Sequence, residues 1–305
     1  MAVAIIQLEK GGVKLIFTGG RKRTDPKYFQ IIIIKMRIWI MEASNNKEIV
    51  HLIKEKLSQI EERENIRIIY ACESGSRAWG FASPDSDYDV RFVYIRPIED
   101  YLRVKEQPDY IDAELNDVYD INGWDLKKFF KQLYKSNPVI FEWADSPIVY
   151  RTSEEWEKVK AVMKDYVKLK AMIYHYIGLA ESIMKKSFVG TEIVYKNYTY
   201  VYRAVLAASY VFYKKNPAPV EYSKLVEAEI SPEEEEFLAD LEDDICEKKR
   251  TQSERAKGKR IMAHEIFFAN RIAIIKDGIA DWEDKQGDFE KLDQLFFDIA
   301  GGNNG

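Results

Sequence analysis

The sequence predicts an α/β half followed by an all-helical half. Short β-branched runs from Ile66 to Ala71 and from Tyr88 to Ile95 indicate buried strands, and Glu114 to Ile121 is a third candidate strand. After about Ser153 these signals almost vanish, and apolar residues recur at helical spacing instead. A chain of 305 residues is long enough for each half to bury a core of its own.

Helical periodicity predicts the remaining elements. Apolar residues recur at helical spacing from Asn46 to Glu64, which predicts an amphipathic helix before the first strand. A second helix is expected from Trp124 to Ser136, where Asn137 and Pro138 close it. The second half contains four long stretches with helical periodicity, at residues 153–187, 195–215, 231–248 and 253–276.

We divide the chain into four predicted segments. They are an N-terminal extension at residues 1–41, an α/β domain at 42–150, a helical domain at 151–298 and a disordered tail at 299–305. The extension matches the sequence that follows it poorly, so Met36 or Met41 is an alternative start. Its apolar run, Ile31 to Ile34, is too short to span a bilayer and is followed by charged residues, so neither a transmembrane helix nor a signal peptide is predicted.

Composition narrows the class of protein. The chain is 46% hydrophobic and 32% charged, which is typical of soluble globular proteins. A net charge of -5 excludes attraction to nucleic acid by bulk charge, so any RNA contact requires a local basic patch. Cys72 and Cys246 are the only cysteines and lie far apart, which excludes a disulfide framework and a cysteine-based zinc site. We expect a cytoplasmic protein that does not bind membranes, of undetermined oligomeric state.

The most informative stretch is ESGSRAWGFASPDSDYDVRFVY, from Glu73 to Tyr94. It predicts a strand, a Gly-Ser turn, a short helix, a loop and then a strand that begins Asp-Tyr-Asp. Gly75 allows the backbone to approach a phosphate closely, and Ser76 offers a hydroxyl and an amide at a helix N-terminus, where anions are favoured. The turn therefore predicts half of a triphosphate site.

Asp87 and Asp89 predict the other half. Residues two apart on a strand point the same way, so the two carboxylates share one face. Mg²⁺ prefers oxygen ligands and keeps phosphate oxygens in its shell, so we expect two Mg²⁺ ions here, with Mn²⁺ as an alternative. Three residues are candidates for a third carboxylate. The candidates are Asp117, Asp120 and Asp125. Asp117 is three residues before Asp120, so on a regular strand it would face the opposite side, and Asp125 fits the first turn of a helix.

The Gly-Ser turn followed by Asp-x-Asp resembles the signature of DNA polymerase β superfamily nucleotidyltransferases. More narrowly, several segments resemble the predicted nucleotidyltransferase family of bacterial RNA-repair pathways called RlaP: ESGSRAWGF, SDYDVRFVY, GWDLKKFFKQLYKSNP, EWADSPIVY, KNYTYVYRAVLAA and PAPVEY. The resemblance begins near residue 42 and extends into the helical half. It implies a polymerase-β-like domain with a small mixed sheet, followed by an all-helical domain.

The resemblance also implies roles for individual residues. Gly75 and Ser76 would engage the triphosphate, and Asp120 is the third acid because it ends the third predicted strand, where the superfamily places its remaining carboxylate. The predicted catalytic and metal-ligating residues are therefore Asp87, Asp89 and Asp120.

Three cationic residues are assigned to the nucleotide. Arg77 follows the Gly-Ser turn and either pairs with a phosphate or braces Glu73. Lys196 and Arg203 are seven apart on one helix face, which is predicted to close over the triphosphate; the alternative is a surface stripe on an aromatic-rich helix. The basic residues from Lys248 to Arg260 are the candidate RNA contact, or else a solvated linker.

The function predicted from these observations is metal-dependent nucleotidyl transfer from a nucleoside triphosphate, such as ATP, to an acceptor hydroxyl. Family association points to an RNA end in RNA repair. The alternatives are antitoxin-type AMPylation of a protein, or a non-catalytic nucleotide-sensing or RNA-binding module. Asp87 and Asp89 argue against the non-catalytic alternative, because buried like charges are costly to keep together without a metal. Base stacking is expected on Trp79, Phe81 or Trp124.

Overall fold

The computed structural model describes residues 3–9, 12–18, 47–80, 82, 86–116, 118–226 and 256–302, with the backbone alone for the first two ranges. The chain forms two compact units, Met1–Ile53 and Lys54–Gly305. In the first unit, strands β1 (Val3–Glu9) and β2 (Gly12–Thr18) pair as an antiparallel hairpin that the sequence did not predict. The first helix, α1, covers residues 47–64 and agrees with the predicted amphipathic segment.

A five-stranded mixed sheet organises the first half of the second unit. Its strands are β3 (Arg67–Glu73), β4 (Tyr88–Ile95), β5 (Tyr110–Leu115), β6 (Tyr119–Asp125) and β7 (Val149–Arg151). Their order is β5-β6-β4-β3-β7, with β4 and β6 parallel and every other neighbouring pair antiparallel. This confirms the predicted mixed sheet.

Four helices accompany the sheet: α2 (Gly75–Trp79), α3 (Ile98–Tyr101), α4 (Leu126–Tyr134) and α5 (Pro138–Ala144). The start of α4 is fixed by Asp125, whose side chain accepts a hydrogen bond from the amide of Lys127. Asn137 caps α5 in the same way, and Pro138 occupies its first turn, where no amide donor is needed.

The predicted third strand was wrong in its bounds. The segment 114–121 contains a turn between two antiparallel strands, because Asn116 accepts the amides of Val118 and Tyr119 through its side chain. Asp120 therefore stands near the start of β6, and not at the end of a strand. Asp117 lies outside the described residues.

The second half of this unit is helical, as predicted. It contains α6 (Glu154–Met163), a 3₁₀ turn (Lys164–Tyr166), α7 (Leu169–Ser187), α8 (Tyr195–Lys214), α9 (Tyr222–Val226), α10 (Met262–Gly278) and α11 (Phe289–Gly301). Strands β8 (Glu192–Val194) and β9 (Lys257–Lys259) form a small antiparallel pair. The predicted stretch 231–248 lies outside the described residues.

The last helix, α11, departs from the expected tail. It continues to Gly301, although disorder was expected from residue 299. The Asp288 side chain caps it, and Leu292, Phe296 and Ile299 are buried in the apolar cluster on the sheet. No helix among the described residues is both long enough and apolar enough to cross a membrane.

Two apolar clusters form the core of this unit. One packs the sheet against α4, α5, α6 and α11, around residues such as Phe129 and Trp156. The other joins α7, α8 and α10, around Tyr198, Tyr202 and Phe268. Trp79, at the end of α2, packs against the helical cluster, so the turn that begins at Gly75 is anchored to α8.

Candidate active site

The Gly-Ser turn lies directly against Asp89. Gly75 has a φ of +59°, a left-handed conformation that side chains disfavour. A Cβ atom on Gly75 would stand 2.0 Å from Oδ2 of Asp89, so only glycine fits beside this carboxylate. The amide of Ser74 donates to the carbonyl of Asp89 at 2.8 Å, and Ser76 is buried with its hydroxyl donating to that of Ser86. The turn and the start of β4 therefore form one local structure.

Asp89 and Asp120 stand side by side. They are register partners on the parallel strands β4 and β6, and Asp87 immediately precedes β4. The pKa of Asp89 is raised to about 6, mainly by burial and also by the charges of Asp87 and Asp120, while Arg91 and Lys196 oppose the rise. Asp87 and Asp120 are thus both close enough to Asp89 to affect its carboxyl electrostatically.

Arg91 joins two of these carboxylates. Its Nη2 atom donates to Oδ1 of Asp89 at 3.0 Å and to Oδ2 of Asp120 at 2.7 Å. Its Nη1 atom donates to the carbonyl oxygens of Val90 and Asp120, at 3.1 and 2.7 Å. Asn122 donates to the other oxygen of the Asp120 carboxylate at 3.2 Å. The guanidinium supplies positive charge between the acids.

Glu73 supports Asp89 from behind. It is fully buried, and its carboxylate accepts the backbone amide of Asp89 at 2.9 Å and the hydroxyl of Tyr150 at 2.5 Å. Burial raises the pKa of Glu73 from 4.5 to about 7, although both hydrogen bonds favour the charged form. The negative charge of Asp89 adds to the rise and Arg77 opposes it.

This pKa shift predicts a pH dependence of stability. Folded protein holds a proton on Glu73 up to about pH 7, whereas the unfolded chain releases it near 4.5. The free energy of unfolding should therefore fall as the pH rises through this window, by about 2–3 kcal/mol from Glu73 alone. Asp89 contributes in the same direction up to about pH 6.

Glu73→Gln should remove most of the Glu73 contribution. The glutamine side chain can still accept a hydrogen bond from the backbone amide of Asp89 and form one with the hydroxyl of Tyr150, but it does not titrate. Urea unfolding of both proteins at pH 5 and pH 8, with EDTA present, measures the difference. An equal loss of stability in wild type and variant would contradict the assignment.

Arg77 is engaged with the loop that leads into β4. It donates to the carbonyl oxygens of Ser86 and Asp87 at 2.6 and 3.0 Å, and its guanidinium stacks 3.8 Å from the ring centre of Tyr88. These contacts fix the backbone on which Asp87 stands. A contact between Arg77 and a phosphate stays a prediction.

Residues 49–298 match the model of a protein family described as RlaP, the RNA repair pathway DNA polymerase beta family. The chain belongs to the RlaP family. The uncharacterized protein YcgL of Bacillus subtilis (strain 168) is 35% identical over 253 residues, which cover 81% of this chain and 95% of YcgL. The match confirms the resemblance carried by the sequence motifs, and the mixed sheet followed by helices fits a polymerase-β-like family.

The two cations predicted from α8 of this RlaP chain differ in their surroundings. Lys196 is close enough to Asp89 to lower the pKa of that carboxyl, and its ammonium lies 5.6 Å from the ring centre of Tyr200. Arg203 is only 3% exposed, forms an ion pair with Glu142 at 3.1 Å and stacks 4.3 Å from the ring centre of Trp79. These contacts favour positioning of α2 by Arg203, whose assignment to the triphosphate stays a prediction.

Removing Arg203 should destabilise the protein strongly. Arg203→Met leaves Glu142, whose side chain is only 12% exposed, without its counter-charge, which should lower the free energy of unfolding by about 3 kcal/mol in denaturant titration. Lys276→Met breaks an exposed ion pair with Glu181 and should cost less than about 1 kcal/mol. Similar losses of unfolding free energy in the two variants would show that the Arg203–Glu142 pair stabilises the protein no more than an exposed ion pair does.

The structure shows contacts for two of the three predicted stacking residues and for part of the basic segment. Trp79 contacts Tyr200 and Trp124 contacts Trp143, whereas Phe81 lies outside the described residues. In the basic segment, Arg260 is bound to Glu265. Positions 248–250 and 255 lie outside the described residues.

The residues suit a hard divalent cation in their chemistry. Asp87, Asp89 and Asp120 offer carboxylate oxygens, and Asp89 and Asp120 stand on neighbouring positions of adjacent strands. Within the described ranges, however, no three His, Cys, Asp or Glu side chains are already arranged to hold a metal ion. The position between Asp89 and Asp120 is taken by Arg91.

Sequence reasoning missed Arg91 and the support given by Glu73 and Tyr150. Arg91 stands two residues after Asp89, so strand alternation places both side chains on one face. That signal was available in the motif. The bond from Tyr150 to Glu73 joins β7 to β3 and depends on strand order, which the sequence does not reveal.

Proposed function

We propose that this RlaP protein is a metal-dependent nucleotidyltransferase that transfers a nucleoside monophosphate from a triphosphate to the hydroxyl of an RNA end. The observation that carries the proposal is the pairing of Asp89 with Asp120 directly beside the glycine turn at Gly75. Family membership supports the reaction class and the RNA acceptor.

The carboxylates have the central role. Asp87, Asp89 and Asp120 would hold Mg²⁺, or alternatively Mn²⁺, and Asp120, as the third carboxylate, would help to activate the attacking hydroxyl. A bound divalent ion would neutralise phosphate charge and lower the pKa of that hydroxyl. Glu73 accepts the backbone amide of Asp89 and Arg77 donates to the backbone carbonyl of Asp87, so neighbouring side chains hold the backbone at both acids.

The triphosphate would be bound from two sides. Gly75 and Ser76 offer backbone and hydroxyl donors next to Asp89, and Lys196 brings a positive charge from α8. The acceptor hydroxyl gives up its proton to solvent, and its oxygen forms a bond to the α-phosphorus as the bond to pyrophosphate breaks. Because donors and cations are fixed before the reaction, they can stabilise the charge that develops. The division at residue 150 into catalytic and helical domains is part of this proposal.

The test is a transfer assay with defined acceptors. Purified protein is incubated with Mg²⁺, each α-labelled triphosphate in turn and RNAs that carry defined 3′ ends. Asp87→Ala combined with Asp89→Ala serves as the inactive protein. Glu99→Gln, which alters an exposed carboxylate on α3, serves as the matched control.

Label on RNA with wild type and Glu99→Gln, but not with the double variant, would support the proposal and identify the base. Label on a protein with the same dependence would keep the reaction and change the acceptor. Absence of transfer with every triphosphate and acceptor would reject the proposed activity.

A further inference from the structure

Arg91 occupies a position that the proposed metal site would need. It lies on β4 with Asp89, and its side chain is only 16% exposed. One nitrogen, Nη2, lies within 3.0 Å of Oδ1 of Asp89 and within 2.7 Å of Oδ2 of Asp120. The two carboxylates are thus bridged by a single cationic group.

A divalent ion and Arg91 cannot bridge these oxygens together. Mg²⁺ binds carboxylate oxygens at about 2.0–2.1 Å, so an ion shared by the same two oxygens would leave no room for Nη2 between them. The other oxygens are less suited to bridging. Oδ1 of Asp120 accepts from Asn122, and Oδ2 of Asp89 lies against Gly75.

The guanidinium is also held through its second terminal nitrogen, Nη1. Nη1 donates to two backbone carbonyl oxygens, those of Val90 and Asp120, which do not depend on the carboxylates. Because Nη1 and Nη2 belong to one planar group, Nη2 leaves the acids only when a change of side-chain torsion moves the whole guanidinium. A triphosphate arriving with the ion would give the released guanidinium a new anionic partner.

We propose that Arg91 is a built-in counter-cation that competes with the divalent ion for Asp89 and Asp120. The inference rests on the proposed function, because it takes these carboxylates as the metal site. It implies that the protein without nucleotide binds divalent ions weakly, and that Arg91 sets this affinity.

The test measures Mn²⁺ binding without nucleotide, from the electron paramagnetic resonance signal of free Mn²⁺. Arg91→Met should bind Mn²⁺ about tenfold more tightly than wild type, since two half-buried ion pairs no longer oppose the ion. Arg91→Lys keeps the charge but lacks the second terminal nitrogen that donates to the carbonyl oxygens of Val90 and Asp120, so its affinity should be intermediate. Lys196→Met, which removes one positive charge near Asp89, should have a smaller effect than Arg91→Met.

Thermal unfolding gives an independent readout. In EDTA, Arg91→Met should melt below wild type, because Asp89 and Asp120 have lost their shared counter-charge. Mn²⁺ should then raise its melting temperature by more than it raises that of wild type. If Arg91→Met does not fold, Arg91→Lys and Arg91→Gln are measured in its place, with the same expected direction.

The outcomes separate this inference from the proposed function. Unchanged or weaker Mn²⁺ binding by Arg91→Met would overturn the competition, and equal tightening by Lys196→Met would reduce it to a general charge effect. If Asp87→Ala with Asp89→Ala binds Mn²⁺ as well as wild type does, the metal site itself is wrong and the proposed function fails with it. Loss of binding in that double variant, with no gain in Arg91→Met, would reject only the role of Arg91.

Discussion

Asp89→Asn is expected to lower the rate of nucleotidyl transfer by about 10³-fold while leaving the fold intact. The amide has the shape of the carboxylate but is a poor ligand for a divalent ion. In metal-free buffer the melting temperature should stay the same or rise, because burial and the neighbouring acids already disfavour the charged form of Asp89. The measurements are transfer of α-labelled triphosphate and thermal unfolding in EDTA.

Mg²⁺ gives this prediction a second, non-catalytic readout. It should raise the melting temperature of wild type and of Glu99→Gln, but not that of Asp89→Asn. An Asp89→Asn protein that keeps more than about a tenth of wild-type activity would remove Asp89 from the proposed metal site. Loss of activity together with a collapse of the melting temperature would indicate a structural role instead.

Gly75→Ala is expected to damage both stability and activity. The left-handed φ of +59° costs about 1–2 kcal/mol for alanine, and the new methyl group would stand 2.0 Å from Oδ2 of Asp89. We expect a total loss of about 2–4 kcal/mol in urea unfolding, since either the turn or the carboxylate must move. Displacement of Asp89 should lower the transfer rate by about 10²-fold.

Gly80→Ala is the matched control for this change. Gly80 also has a positive φ, +88°, but a Cβ atom there would meet nothing within 4 Å. The variant should lose about 1–2 kcal/mol from backbone strain and keep transfer within about threefold of wild type. Equal effects of Gly75→Ala and Gly80→Ala on the transfer rate would show that contact with Asp89 is unimportant.

The sequence predicted the local features of the candidate site well. The strand from Tyr88 to Ile95 was expected with its observed bounds, because its β-branched and aromatic residues strongly favour a strand. The Gly75 turn and the acids Asp87 and Asp89 were predicted because all lie within one short segment. Their proximity depends on only one turn and one strand pairing.

Features that depend on distant pairing were harder to predict. A single strand was expected where β5 and β6 form a hairpin, since the turn depends on the side chain of Asn116 and the segment 114–121 contains neither glycine nor proline. The exposure of Arg203 could not be judged from spacing, because α8 is buried around most of its surface and no face stands out as solvent-exposed. Helical periodicity placed Arg203 on the same face as Lys196, but it could not reveal the residues that surround Arg203.

The parallel pairing of β4 and β6 has an evolutionary consequence. Asp89 and Asp120 are fixed by the register between the adjacent strands β4 and β6. The connection between these strands, residues 96–118, includes β5 at the edge of the sheet. Insertions or deletions in that connection can change length and surface character without altering the spacing of the acids. Relatives can therefore diverge in what they recognise at this edge while inheriting the same chemical centre.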